Sequence, residues 1–166
     1  MTRSPQLRIG NGFDIHPVST DQNRVLKLAG VEVAKGFGLL GHSDADVVCH
    51  ALADAVLGAV GLGGIGDHFP PGNPVFQGAD SLILLSKCMQ MVTDLGWELV
   101  NADVTVIAQQ PRLAEFLPAM SKTVTEVLGG PVEVKAKSPE SIGALGANQG
   151  IAALASALLW RPDKEG

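Results

Sequence analysis

The chain has 166 residues, 46% of them hydrophobic and 17% charged, which predicts a single domain over residues 1–166 with one core. Its formal net charge of −5 and its lack of tyrosine argue against a nucleic-acid platform, which needs a basic surface or aromatic rings for stacking. No stretch free of charged, Asn and Gln residues approaches the ~18 to 20 residues of a membrane span, and the first eight residues are too short and polar for a signal peptide.

The first half of the chain predicts two strands and one helix. In chain order it reads as a strand over residues 7–13, a polar loop over 14–23, a strand over 25–33 and a glycine-rich stretch over 34–41. Ser43, with Asp46 three residues later, resembles a capping box, and this pattern predicts a helix that runs to about Val60. Residues 65–78 contain three prolines and three glycines, which favours a long, functional loop.

The second half predicts three further helices and two further strands. These are a helix over residues 80–96, a strand over 99–108, a helix over 114–128, a strand over 132–137 and a helix over 148–160. Four strands and four helices in mixed order predict a two-layer α+β domain, with a four-stranded mixed sheet and the helices packed on one face. Cys49 and Cys88 lie within predicted helices and lack CxxC spacing, so we expect reduced, structural thiols and a cytoplasmic protein.

Three of the four histidines lie in the first 50 residues and indicate a metal site. If the first strand continues past residue 13, Asp14 and His16 point the same way, because strand side chains repeat every two residues. A carboxylate and an imidazole together form half of a zinc site, and a catalytic zinc takes three protein ligands. The third ligand is then one of His42, His50 and His68. The alternative is structural: Asp14 and His16 cap a turn, and the helical histidine is a satisfied core residue.

The predicted helix after residue 43 indicates different roles for His42 and His50. His50 projects from the predicted helix one turn after Asp46, so it is placed rigidly enough to bind metal. His42 lies just before the helix, where free backbone N–H groups and the helix dipole favour an anion. This position predicts that His42 and Ser43 contact a phosphate.

The motifs resemble those of the 2-C-methyl-D-erythritol 2,4-cyclodiphosphate synthase family. The similar segments are residues 8–16, 38–46, 69–70, 78–81, 108–111 and 134–136, together with Gly66. The resemblance implies cyclisation of 4-diphosphocytidyl-2-C-methyl-D-erythritol 2-phosphate, with release of CMP, in the non-mevalonate isoprenoid pathway. It also implies a homotrimer with its sheets toward the centre and active sites between subunits, each using one Zn²⁺ and one Mg²⁺ or Mn²⁺.

The resemblance assigns roles by position. The implied zinc ligands are Asp14, His16 and His50, the implied ligand of the second metal is Glu140, and the implied catalytic groups are His42 and Ser138. The implied substrate-binding positions are Asp14, His16, His42, Ser43, Gly64, Ile65, Gly66, Phe69, Ala108, Pro111, Arg112, Leu113, Ala114, Lys137, Ser138 and Glu140. Within this set, residues 108–114 form the expected cytidine side.

The chain departs from the family pattern at a position that contacts substrate in the family and at two positions of the trimer cavity. Gly64 stands where the family has an aspartate that contacts the methylerythritol hydroxyls, and Asp67 is a candidate to compensate. Ala144 and Ala147 replace an aromatic residue and an arginine of the trimer cavity, so we do not expect an isoprenoid diphosphate there. Two other functions remain open at this point: a non-catalytic, zinc-dependent trimer that binds nucleotides or isoprenoid phosphates, and a metal phosphohydrolase.

Overall fold

The structure is a computed structural model that describes residues 6–162. Residues 1–5, which belong to the stretch judged too polar for a signal peptide, and residues 163–166 at the end of the expected domain lie outside the described residues. The strands are β1 (Gln6–Pro17), β2 (Val25–Leu28), β3 (Val31–Lys35), β4 (Glu98–Ile107), β5 (Val132–Lys137) and β6 (Gly150–Arg161). The helices are α1 (Val47–Ala59), α2 (Ile65–His68), α3 (Ser81–Asp94), α4 (Leu117–Leu128) and α5 (Gly143–Gly146), with a 3₁₀ turn at Pro74–Phe76.

The main sheet has four strands in the order β1-β6-β4-β5. β6 pairs antiparallel with both β1 and β4, whereas β4 and β5 are parallel, so the sheet is mixed. β2 and β3 form a separate two-stranded sheet. The α+β class and the four-stranded mixed sheet are confirmed, although the described residues contain six strands rather than four.

The prediction of a helix over residues 148–160 is wrong, because this segment forms β6. Alternate residues along it are buried, at Ile151, Ala153, Ala155, Ala157 and Leu159. Its alanine-rich composition favours a helix when it is considered alone. The period-two burial and the hydrogen bonding on both edges override that preference, since β6 lies between β1 and β4.

The two predicted N-terminal strands also need correction. The segment over residues 25–33 is two strands, β2 and β3, joined by a turn in which Ala29 and Gly30 have positive φ angles of 53° and 74°. Positive φ at both central residues is typical of the two-residue turns of hairpins. β1 continues to Pro17, so the predicted loop over residues 14–23 begins later than expected. The extension places Asp14 and His16 on one face of β1, as the metal hypothesis required.

Asp46, not Ser43, caps the first helix. The Asp46 side chain accepts hydrogen bonds from the backbone amides of Val48 and Cys49, and α1 begins at Val47. The capping-box interpretation placed the N-cap at Ser43, three residues too early. At the second helix, Asp80 is the N-cap of α3, which agrees with the prediction.

Three other boundaries differ from the sequence interpretation or refine it. The predicted loop over residues 65–78 contains α2 and the 3₁₀ turn. α4 starts at Leu117, three residues later than predicted, and is followed by its C-cap Gly129, whose positive φ of 73° is the left-handed conformation that usually ends a helix.

Cys49 and Cys88 are buried free thiols, as expected, and burial raises the pKa of Cys88 to about 12. No helix within residues 6–162 is long and apolar enough to cross a membrane.

α1 packs directly onto β1 through two glycines. A Cβ atom at Gly10 would overlap the carbonyl oxygen of Ala55, and one at Gly12 would overlap that of Ala51. The backbones of helix and strand therefore approach more closely than any side chain allows. This contact fixes the position of α1, and with it the position of His50, relative to β1.

We expect Gly12→Ala to lower the free energy of unfolding by about 1–3 kcal/mol, because the added methyl group overpacks the contact between α1 and β1. Chemical denaturation at fixed protein concentration measures the change. Gly58→Ala, on the exposed side of α1 with no atom near the new methyl group, is the matched control. It should raise the same free energy by about 0.5–1 kcal/mol. Equal effects of the two substitutions would contradict the packing argument.

The face of the main sheet opposite α1 carries exposed apolar side chains that no other element within residues 6–162 covers. Large apolar side chains on this face are between 48% and 70% exposed: Leu7, Ile9, Phe13, Ile15 and Leu154. An exposed apolar area of this kind is typical of an interaction surface. Within residues 6–162, α1 covers one face of the sheet, and these apolar side chains lie exposed on the other face.

Candidate functional site

Three side chains from β1 and α1 converge on one point. The Asp14 Oδ2 atom lies 3.2 Å from His16 Nε2 and 2.9 Å from His50 Nδ1. The two ring nitrogens lie 3.4 Å apart. The cluster is half-buried, and its three atoms all lie within 4.8 Å of one another. Among the three histidines left open as the third ligand, the structure brings His50 to the Asp14–His16 pair.

The donor atoms of this cluster fit a divalent metal. A carboxylate oxygen and two imidazole nitrogens all present lone pairs toward the same point, so a cation, either a proton or a metal ion, must lie among them. Two histidines and one carboxylate are ligands that zinc accepts, and three protein ligands leave one coordination position for a substrate oxygen. The cluster therefore has the donor set of a divalent-metal site with a coordination position left for a substrate.

Interactions within the cluster lower the pKa of Asp14 and raise the pKa of His50. Burial alone would raise the pKa of Asp14, but hydrogen bonds and charge interactions with His16 and His50 outweigh burial and hold this pKa well below its usual range. Burial alone would lower the pKa of His50, but Asp14 outweighs it and raises this pKa. Without a metal, the Nδ1–H of His50 donates to Asp14. The carboxylate thus stays charged and available to a metal.

The cluster borders a cavity of about 230 Å³. Eight of its lining residues are His16, His42, Ser43, His50, Ile65, Gly66, Phe69 and Phe76. His42 donates from Nε2 to the backbone oxygen of Asn73, 2.9 Å away. The structure therefore brings together the three expected zinc ligands, the expected phosphate-contacting pair and part of the loop over residues 65–78. It does not bring Glu140, the expected ligand of the second metal, into this cavity.

The helix-terminus explanation for phosphate binding is wrong. Asp46 is fully buried and already occupies the free amides at the start of α1. It also accepts hydrogen bonds from the amides of Ala29 and Gly30 in the β2–β3 turn. A carboxylate of the chain itself thus caps the start of α1, where the sequence interpretation expected free amides for a phosphate.

Seven of the remaining expected site residues line a second cavity, of about 410 Å³. Its walls include Ala108, Pro111, Arg112, Leu113, Ala114, Lys137 and Ser138. The two cavities share no lining residue, so a single chain holds the expected site as two separate halves. Glu140 is exposed beside the second half, where its backbone amide donates to the Ser138 hydroxyl oxygen at 3.0 Å.

The loop at Gly64 is held by two carboxylates. Asp67 Oδ2 accepts from the Gly64 amide at 2.9 Å, and Asp54 Oδ1 accepts from the Ile65 amide at 2.7 Å. Gly64 and Asp67 do not line the cavity that borders the metal cluster. Asp67 therefore acts on the backbone at the start of α2, rather than presenting its carboxylate to the cavity.

Sequence reasoning missed two side chains that support the cluster. Ser81 Oγ lies 3.0 Å from His50 Nε2, and Ser81 donates from the same hydroxyl to Asp44. Ser81 and Asp44 are 37 residues apart in the chain, so no local pattern joins them. Both lie in segments that carry the family resemblance, but that resemblance assigned them no role.

Comparison with known proteins places the chain in a family. A family model described as the YgbB family matches residues 7–160. The 2-C-methyl-D-erythritol 2,4-cyclodiphosphate synthase of Bordetella avium is 48% identical over 157 residues, which cover 93% of this chain and 96% of that protein. The solved structure of IspF from Plasmodium falciparum in complex with CDP is 30% identical, with a TM-score of 0.83 over 97% of this chain and all of that one.

A longer protein contains the same fold. The bifunctional IspDF of Campylobacter jejuni is 41% identical in the matched region, with a TM-score of 0.92. The match covers 98% of this chain but 44% of that protein, so the present chain corresponds to less than half of it. The family model and the relative from Bordetella avium both span nearly the whole chain, so the chain belongs to the YgbB family.

Proposed function

We propose that the chain is a metal-dependent cyclodiphosphate synthase, a phosphorus–oxygen lyase of isoprenoid biosynthesis. It converts 4-diphosphocytidyl-2-C-methyl-D-erythritol 2-phosphate to 2-C-methyl-D-erythritol 2,4-cyclodiphosphate and CMP. The observation that carries the proposal is the convergence of Asp14, His16 and His50 in a chain 48% identical to a protein named for this reaction. The acidic chain acts on a small molecule, and not on nucleic acid.

The reaction needs positioning and charge neutralisation. An oxygen of the 2-phosphate attacks the β-phosphorus, and the bond from that phosphorus to the oxygen of CMP breaks, so no covalent bond to the enzyme forms. Metal ions supply Lewis-acid polarisation of the phosphate oxygens and neutralise developing charge. Asp14, His16 and His50 would hold Zn²⁺, and Glu140 would hold Mg²⁺ or Mn²⁺. The protein's own groups then orient the substrate around these ions.

Several side chains contribute hydrogen bonds or positive charge to the phosphates. Ser43 borders the metal cavity and Ser138 borders the second cavity, so each hydroxyl can donate to a phosphate oxygen, and the ring of His42 lines the same cavity as Ser43. Arg112 and Lys137 line the second cavity, where their charges suit a nucleotide diphosphate. These contributions explain how a chain of net charge −5 binds a substrate with several phosphate groups.

The proposed assembly is a homotrimer with its sheets toward the centre and its active sites between subunits. The uncovered apolar face of the main sheet supports this arrangement, because contact with two copies would bury it. The separation of the expected site into two cavities supports it as well, since the second half can come from a neighbouring subunit. Buried free Cys49 and Cys88 fit the reducing cytoplasm, the proposed location.

An assay of CMP release tests the proposed function. Purified protein with Zn²⁺ and Mg²⁺ should release CMP and form the cyclic diphosphate, and a chelator should suppress both products. Mass spectrometry distinguishes the cyclic product from the open phosphate that a phosphohydrolase would give. Substrate binding without CMP release would instead support a non-catalytic binding protein.

We expect Gly64→Asp to lower KM by about two- to tenfold, the effect of one added hydrogen bond to the substrate. The backbone at residue 64 is extended, with φ −117°, and accepts any residue, although a new Cβ lies 3.0 Å from Asp54 Oδ1. Gly64→Ala, which adds the Cβ without the carboxylate, is the control, and steady-state kinetics measures both. An unchanged KM in Gly64→Asp would show that the chain has no need of this carboxylate.

A further inference from the structure

The second ring nitrogen of His50 is held away from the metal cluster. His50 Nε2 lies 3.0 Å from Ser81 Oγ and 3.1 Å from Ser43 Oγ. Ser81 is 1% exposed and begins α3, where its backbone amide lies 3.3 Å from Asp44 Oδ2. Two rigid elements, α1 and α3, thus meet at this nitrogen.

The hydrogen on the Ser81 hydroxyl determines which ring nitrogen of His50 can bind the metal. A serine hydroxyl has a single hydrogen to donate, and Ser81 donates it to the Asp44 carboxylate, which can only accept. Ser81 therefore presents only lone pairs to His50. The Nε2 atom of His50 must then carry a hydrogen and donate it to Ser81, so Nδ1 is the nitrogen that gives up its hydrogen to Asp14 or solvent when a metal binds.

The Ser43 hydroxyl also lies near His50 Nε2, but it does not fix the hydrogen of His50 in this way. Ser43 Oγ accepts from the Ala45 amide at 3.2 Å and lies 3.4 Å from Ser81 Oγ, and no carboxylate within residues 6–162 accepts its hydrogen. Since Ser81 accepts the Nε2–H of His50, the Ser43 hydroxyl is free to donate toward the cavity that it lines. The two serines thus have different tasks although they lie at almost equal distances from His50.

We propose that Ser81, oriented by Asp44, is a positioning residue that holds His50 in the ring orientation and hydrogen arrangement needed to bind zinc through Nδ1. Hydrogen-bond partners of this kind typically contribute 10- to 100-fold to metal affinity. The proposal rests on the zinc assignment made under the proposed function. It is independent of which reaction the site catalyses, because its test uses zinc alone.

The test compares the zinc dissociation constants of Ser81→Ala, Asp44→Asn and the unchanged protein by competition with a chromophoric chelator. Ser81→Ala should bind zinc about 10- to 100-fold more weakly, because His50 loses its fixed partner. Asp44→Asn should also weaken zinc binding, by a smaller factor. It tests the proposal if Ser81→Ala fails to fold. Ser86→Ala, which removes an exposed hydroxyl from the same helix, is the matched control and should leave zinc affinity unchanged.

A second measurement separates positioning from a general loss of structure. Long-range ¹H–¹⁵N correlation spectra of the zinc-loaded protein should show the His50 hydrogen on Nε2, with slow exchange that becomes fast in Ser81→Ala. The proposal is overturned if Ser81→Ala binds zinc as Ser86→Ala does, or if His50 binds zinc through Nε2. Failure of the unchanged protein to bind zinc would overturn the metal assignment itself, whereas zinc binding without CMP release would leave the proposal intact and reject the cyclase.

Discussion

Replacing His50 by alanine should lower the rate of CMP release by about a thousandfold or more, since a Lewis-acid metal contributes several kcal/mol to transition-state stabilisation. The substitution removes one of the three atoms that converge at the cluster and leaves Asp14 and His16 with incomplete coordination. Bound zinc, measured by elemental analysis after gel filtration, should fall together with the activity.

His68→Gln is the matched control for this substitution. His68 was a candidate third ligand by sequence, but in the structure its ring donates to the backbone oxygen of Leu62, 2.8 Å away. Glutamine can retain that hydrogen bond, so zinc content and CMP release should stay near those of the unchanged protein. The cluster assignment fails if His50→Ala retains full zinc content, or if His68→Gln alone loses it.

The metal cluster could be predicted from sequence because its geometry depends on local periodicity. Asp14 and His16 share a face in any strand that reaches residue 16, and His50 lies on a helix whose apolar pattern is clear. The last strand could not be predicted in the same way. The local composition of β6 favours a helix, and only its pairing with β1 and β4, far away in the chain, decides its structure.

The support of the site also depends on contacts between distant residues. Asp46 binds the β2–β3 turn as well as the start of α1, which no capping pattern indicates. Ser81 contacts a histidine 31 residues earlier in the chain. Single-chain patterns likewise give no information on whether residues 108–114 meet the metal cluster within one chain or across an interface, because that depends on assembly.

Trimers that combine two inactive variants should regain about one third of the activity of the unchanged trimer, because cyclic symmetry gives each mixed trimer one intact site among three. The variants are His50→Ala, which damages the metal half, and Glu140→Gln, which damages the exposed carboxylate beside the second half. In a site between subunits, the metal half of one chain faces the second half of its neighbour. A trimer with both chain types then contains one interface at which both halves are undamaged.

Co-expression with two different affinity tags and sequential purification on both tags isolates the mixed trimers, and light scattering confirms their mass. Each variant carrying both kinds of tag, but without the other variant, is the control and should remain inactive. If both halves of a site came from the same chain, every chain in the mixed trimer would carry one damaged half and no activity would return. Recovered activity would thus show that the two separate cavities of one chain belong to two different active sites.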